Sequence, residues 1–262
     1  MKSKEEKQAK KAARKRKILA GSRVKFNFKK HFLPPIAGFL VFASVFGFFN
    51  SGLISARISY YLQSRHASAQ TNVVPTSTAI DPNTPPRIVI SKINVKAPVI
   101  YDETAVNQDK FLADLQNGVV HYPNTAFPGQ EGNIVIFGHS SEAWWAPGNY
   151  KYVFTLLDKL QIQDLIYLDY NGTRYVYRVY DIKVVEANDL SVLNQSSGHV
   201  LTLLTCTPVG TAQKRLVVRA TQLLPKVSSD FTSDKAATLP KGADGNLPSS
   251  ANSFWSNFKS LF

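Results

Sequence analysis

The chain has one cysteine, Cys206, in 262 residues. A single thiol excludes an internal disulfide, so the fold must be held by packing alone. The formal net charge is +13, yet most of the chain lacks a basic excess. Thirteen of the 31 Lys/Arg and two of the 18 Asp/Glu fall in residues 1–30, leaving 18 basic against 16 acidic residues elsewhere. A domain near neutrality has no concentrated electrostatic footprint, which argues against a nucleic-acid binder. Charge is missing altogether between Phe32 and Ala56. There is no internal repeat.

The charge-free run follows the basic block and contains 25 residues, enough to cross a bilayer core of roughly 30 Å as a helix. It exceeds the apolar region of a cleaved signal peptide, about 7–15 residues. An uncleaved signal anchor is therefore expected, with Pro34 and Pro35 in its first turn or at the interface. The positive-inside bias puts residues 1–31 in the cytoplasm and the chain after Arg57 outside a cell membrane crossed once. Residues 57–86 are polar and end Asp81-Pro82-Asn83-Thr84-Pro85-Pro86, a linker composition. Periodic apolar segments fill 87–225. Residues 226–262 return to a low-complexity composition expected to be disordered, although Phe254, Trp255, Phe258 and Phe262 are spaced for a small amphipathic turn.

Strand signals dominate the central part. Ile88-Val89-Ile90 and Ile93-Asn94-Val95 are short and β-branched, and Asn133–His139 reads as a buried strand. Asn171-Gly172 between Leu165–Tyr170 and Thr173–Tyr180 predicts a tight hairpin. Val200–Cys206 and Arg215–Thr221 add two strands, and helical turns are expected near Gln108–Leu115 and Val153–Leu160. Many short strands over about 140 residues predict an all-β barrel or sandwich.

Cys206 ends one of these strands and is followed by Pro208 and Gly210, where the chain breaks and can expose the sulfur. Its thiolate would need a nearby cation or imidazolium. His199 lies seven residues back, roughly 20 Å along an extended strand, too far to serve. His31 and His66 fall outside the domain, so His121 and His139 remain. Alternation puts Arg215, Val217 and Arg219 on one strand face and does not separate the two arginines. A guanidinium beside the thiol could donate to a developing oxyanion or to the carbonyls of a bound peptide.

The segment Thr202-Leu203-Leu204-Thr205-Cys206, with Arg215 nine residues on, resembles the signature of the sortases, the cysteine transpeptidases of Gram-positive cell surfaces. Gly118–Ser140 resembles that family's stretch before its histidine, with flanks of the class C and class E type. The resemblance covers about residues 87–223. It implies an all-β, eight-stranded barrel with short helices, here preceded by one transmembrane helix. It implies Cys206 as the acyl-accepting nucleophile, His139 as general acid and base, Arg215 as the transition-state stabiliser and Thr205 as a substrate-binding neighbour. Ser140 stands where the family often has arginine, and Asp81-Pro82-Asn83 lacks the aromatic residue of a pilus-type lid.

The implied substrates are proteins with a C-terminal sorting signal of the Leu-Pro-x-Thr-Gly kind. The acceptor would be an amine from a cell-wall precursor or a pilin lysine, with no metal or organic cofactor. The implied partners also include membrane lipid around residues 32–56 and exclude nucleic acid. Trp144-Trp145 is a candidate for the substrate groove, with core packing as the plain alternative. Leu239-Pro240-Lys241-Gly242 has the start of a sorting signal without its threonine and reads as coincidence. Two other functions compete: a cysteine hydrolase with water as acceptor, and a non-catalytic surface-anchored β-barrel that binds a wall component.

Overall fold

The computed structural model describes residues 28–49, 51–66, 74–75, 77–101, 108–142, 146–195, 197–226 and 247, together with residues 8 and 11. The chain separates into two compact units, Met1–Phe49 and Asn50–Phe262.

In the first unit, a helix spans Phe28–Phe49. It begins before the charge-free run, so Pro34 and Pro35 lie inside the helix and not in its first turn, as the sequence reading expected. Lys29 and Lys30 are ordinary helix formers and carry the helix start upstream of the prolines. Leu33, Phe39, Val41 and Phe42 on this helix are exposed. A second helix, Ser51–His66, opens the second unit. Among the described residues no helix is long and apolar enough to cross a membrane.

The second unit is organised by eight strands closed into a barrel in the order β1-β2-β3-β4-β7-β8-β6-β5. They are β1 Arg87–Ile90, β2 Val95–Ile100, β3 Val119–His121, β4 Gly132–Phe137, β5 Leu165–Tyr170, β6 Thr173–Glu186, β7 His199–Thr207 and β8 Lys214–Leu224. The eight-stranded all-β fold implied by the sequence is the one observed.

The β5–β6 hairpin turns at Asn171 and Gly172, both with positive φ (47° and 74°), as the tight two-residue turn requires. The short helix Gln108–Asp114 matches its expected position. Val153–Leu160 differs: it yields turns and a 3-10 segment over Leu157–Lys159. Ile93-Asn94-Val95 is also not one strand. Asn94 takes the left-handed conformation (φ 52°) after a 3-10 turn, so β2 begins at Val95. Asparagine tolerates that region, which propensity for β structure does not register.

Two pairings in the barrel are parallel, β2 with β3 and β4 with β7. Alternation gives β4, β7 and β8 two apolar faces. Ile134, Ile136, Leu201, Leu203, Leu216 and Val218 pack in one core cluster with Ile88 and Ile90. Their neighbours Val135, Phe137, Leu204 and Val217 point the other way. They form a second cluster beneath Phe111, Leu115, Val192 and Leu193. Apolarity on both faces explains why β4 reads as a continuous hydrophobic run. Cys206 and Arg215 share the alternation of Leu204 and Val217, so they belong to the second face.

Candidate active site

The parallel ladder of β4 and β7 pairs Ile136 with Leu203 and Phe137 with Leu204. Beyond the end of β4 the pairing is carried on by single bonds. Gly138 N–H donates to Leu204 O at 3.1 Å, and Thr205 Oγ1 donates to Gly138 O at 2.7 Å. His139 therefore leaves β4 level with Cys206 on β7. The β7–β8 hairpin, which turns through 208–213, places Cys206 directly opposite Arg215. Arg219 pairs with Thr202, four residues along and roughly 13 Å away.

His121 sits elsewhere. Its ring is fully buried against Tyr101 and Phe127, with centroids 5.0 and 4.7 Å apart. Its Nε2 lies 2.9 Å from both Ala126 O and Thr125 Oγ1. The two ambiguities left by periodicity, His121 against His139 and Arg219 against Arg215, thus separate by position.

The loop after β4 is fixed from behind. Phe154 N–H donates to His139 O at 2.9 Å, and the Thr155 hydroxyl donates to Ser140 O. Gly138 is required by close approach, because a Cβ there would lie 2.5 Å from Cδ2 of the buried Phe154 ring. Glu142 Oε2 stands 3.7 Å from His139 Nδ1.

Burial lowers the His139 pKa below its ordinary value, with Glu142 partly opposing. Burial raises the Cys206 thiol, Arg215 works against that rise, and Glu142 adds to it. Both shifts favour the uncharged forms, thiol and neutral imidazole. The chemistry available is transfer of the thiol proton to the imidazole as the sulfur attacks.

Arg215 is only 1% exposed. Its Nη1 donates to Ala212 O at 3.0 Å and Lys214 O at 3.1 Å, and its Nη2 donates to Leu247 O at 3.4 Å. All three acceptors are main-chain carbonyls, the kind of group a bound peptide presents. Thr205 is 3% exposed and its hydroxyl is spent on Gly138 O. Among the described residues no group of three or more His, Cys, Asp and Glu stands where it could hold a metal ion.

The family model described as "Sortase domain" matches residues 88–223, just over half of the chain. The chain belongs to the sortase family. Over 133 residues it is 29% identical to Sortase D of Bacillus subtilis (strain 168), covering 49% of this chain and 59% of that protein. The chain thus spans about three-fifths of that curated relative's length. Among solved structures it is similar to a Clostridium perfringens Sortase D5 transpeptidase, at 31% identity over 53% of this chain and 78% of that one, TM-score 0.44. It is also similar to sortase C-1 from Actinomyces oris, at 25% identity over 65% and 98%, TM-score 0.45.

Several residues of the sortase domain escaped the sequence reading. Asn133 is buried and donates through Nδ2 to Val192 O at 2.9 Å and Asn194 O at 3.2 Å, while its Oδ1 accepts from Thr202 Oγ1 at 2.6 Å. It ties the segment over the second cluster to two barrel strands. The signal was a polar residue opening an apolar strand. Glu142 was visible only as an acid three residues after His139. Leu247 had no signal in apolar periodicity, yet it is 2% exposed within the second cluster. Trp144-Trp145 and the aromatic C-terminal end lie outside the described residues, as do residues 1–27 apart from 8 and 11.

Proposed function

We propose that this chain is a membrane-anchored cysteine transpeptidase acting on a sorting signal of the Leu-Pro-x-Thr-Gly kind. The observation that supports the reading is the β4–β7–β8 ladder, in which Cys206 pairs with Arg215 and Gly138, the residue before His139, bonds to Leu204 and Thr205. Cys206 Sγ attacks the carbonyl carbon of the residue before the scissile bond while His139 takes its proton. Arg215 donates to the oxyanion, a stabilisation typically worth about 3 kcal/mol per donor. The imidazolium returns the proton to the departing amine, and a thioester remains. A second amine, from a cell-wall precursor or a pilin lysine, then attacks the thioester carbonyl as His139 takes its proton; the C–S bond breaks and the imidazolium returns that proton to the Cys206 sulfur. Neither half-reaction calls for an electron acceptor or a metal.

Thr205 serves in this reading as a positioning residue, since its buried hydroxyl acts on the chain beside His139. The catalytic domain is 87–225, joined through 57–86 to an anchor at 32–56, with 1–31 cytoplasmic and 226–262 as a tail. The uncharged run and the exposed apolar residues of helix Phe28–Phe49 support a single-pass anchor in the cell membrane.

The test is mass spectrometry of the full chain in detergent with a panel of sorting-signal peptides, with and without added amines. Expected are an acyl adduct on Cys206, an amide product when amine is present, and neither with Cys206→Ala. Free acid as the sole product in abundant amine would replace transpeptidase by hydrolase. No adduct with any peptide would reject both.

A further inference from the structure

The second apolar cluster takes in one residue of the tail, Leu247. Leu247 packs among Val135, Phe137, Leu204 and Val217, beneath Val192 and Leu193. Its carbonyl accepts from Arg215 Nη2 at 3.4 Å. Arg215 is the register partner of Cys206. A leucine side chain in an apolar pocket and a leucine carbonyl on this arginine are what a Leu-Pro peptide would offer the site.

The residues that follow Leu247 complete the likeness. They read Leu247-Pro248-Ser249-Ser250-Ala251. Set against Leu-Pro-x-Thr-Gly, serine keeps the β-hydroxyl of threonine and alanine is the next smallest residue after glycine. The other Leu-Pro pair, Leu239-Pro240, is followed by Lys241-Gly242 and has no hydroxyl residue at the fourth place. The chain length allows the return: β8 covers 11 residues, roughly 36 Å, and the 20 residues between Lys226 and Leu247 can span roughly 66 Å.

We propose that Leu247 leads a built-in sorting-signal mimic: this leucine occupies the substrate's place on the second face in cis and competes with substrates. A tethered segment reaches a local concentration on the order of millimolar, so even a weak mimic holds a large share of the groove. The proposal rests on the transpeptidase reading for the word substrate, whereas occupation of the groove stands on Leu247 alone.

The test compares full-length wild type with Leu247→Asp and, as a control in the other Leu-Pro pair, Leu239→Asp. The first readout is alkylation of Cys206 by iodoacetamide, followed by intact mass, since no other thiol is present. Leu247→Asp is expected to react about threefold or more faster than wild type and Leu239→Asp, given the tether concentration. A synthetic peptide of sequence Gly-Asn-Leu-Pro-Ser-Ser-Ala added to Leu247→Asp should restore slow alkylation, and the same peptide with Asp for Leu should not. An unfolded variant would show no rescue, so rescue keeps the result readable.

The second readout is KM for a sorting-signal peptide, expected to fall about threefold or more in the milder Leu247→Ala variant. Equal alkylation of wild type and Leu247→Asp, or no rescue in trans of a Leu247→Asp protein that still unfolds cooperatively, overturns the proposal even if wild type forms thioesters normally. Protection and rescue without turnover of any peptide would instead uphold groove occupation and overturn the transpeptidase reading.

Discussion

Thr205→Val is the sharpest probe of how the strand ladder sets the His139–Cys206 pair. Valine keeps the shape and β-branching of threonine, so a strand position accepts it. What changes is one hydroxyl, 2.7 Å from Gly138 O. A methyl needs about 3.3 Å from a carbonyl oxygen, so the Gly138 carbonyl must retreat by about 0.6 Å. It also loses a buried hydrogen bond, which together with the orphaned acceptor costs about 2 kcal/mol. For a domain of this size that lowers Tm by about 6 °C. Because Gly138 precedes His139, the imidazole shifts with it, and a displacement of this order reduces turnover on the order of tenfold. The assays are thermal unfolding, steady-state transfer to a peptide amine, and peptide binding to the Cys206→Ala background with and without the substitution. Binding should stay unchanged, and Thr205→Ser should restore both stability and rate. Weakened peptide binding at unchanged stability would refute the reasoning and make Thr205 a direct substrate contact.

Further outcomes follow from the same geometry. Gly138→Ala drives a Cβ to 2.5 Å from the Phe154 ring; the buried ring has no room to yield, so stability should fall by about 1–3 kcal/mol in denaturant titration. Asn133→Ala leaves Val192 O, Asn194 O and the Thr202 hydroxyl without their shared partner; a loss of about 3 kcal/mol and a raised KM for peptide are expected, with kcat little altered. Glu142→Gln removes the charge that raises both His139 and Cys206. The imidazole should then titrate at still lower pH by NMR and the thiolate should appear at lower pH in alkylation rates; movement upward of either would contradict the assignment. Because folding depresses the His139 pKa, the unfolded chain binds more protons below its ordinary value of about 6.5. That contribution to stability is present above about pH 6.5 and is lost as pH falls towards the folded pKa; His139→Gln should flatten this part of a Tm–pH curve.

The Asn171-Gly172 hairpin was legible because a two-residue turn with two positive φ values leaves few residue choices. Strand β3 was missed because three residues, Val119–His121, are too few for any period to show. Ile93-Asn94-Val95 was misread because a left-handed asparagine interrupts a β-branched run without changing its hydropathy.

The chemistry followed the same division. The residue types of a thioester site were on view in Cys206, two histidines and two arginines, with the family resemblance choosing among them. Local sequence alone did not choose, since His121 and His139 both precede turn-like segments and Arg215 and Arg219 share a face. The parallel pairing of β4 with β7, between residues more than sixty positions apart, separates the histidines, and the β7–β8 register separates the arginines. Leu247 is the extreme case. Its burial comes from a cluster drawn from β3, β4, β7 and β8, the helix Gln108–Asp114 and the segment Leu190–Leu193, none of which is its neighbour in sequence. Sequence by itself determined the one thiol, the uncharged run and the strand-rich class, because composition and short-range periodicity record them. Tertiary structure decided which side chains meet, because a barrel closes through contacts that no local pattern encodes.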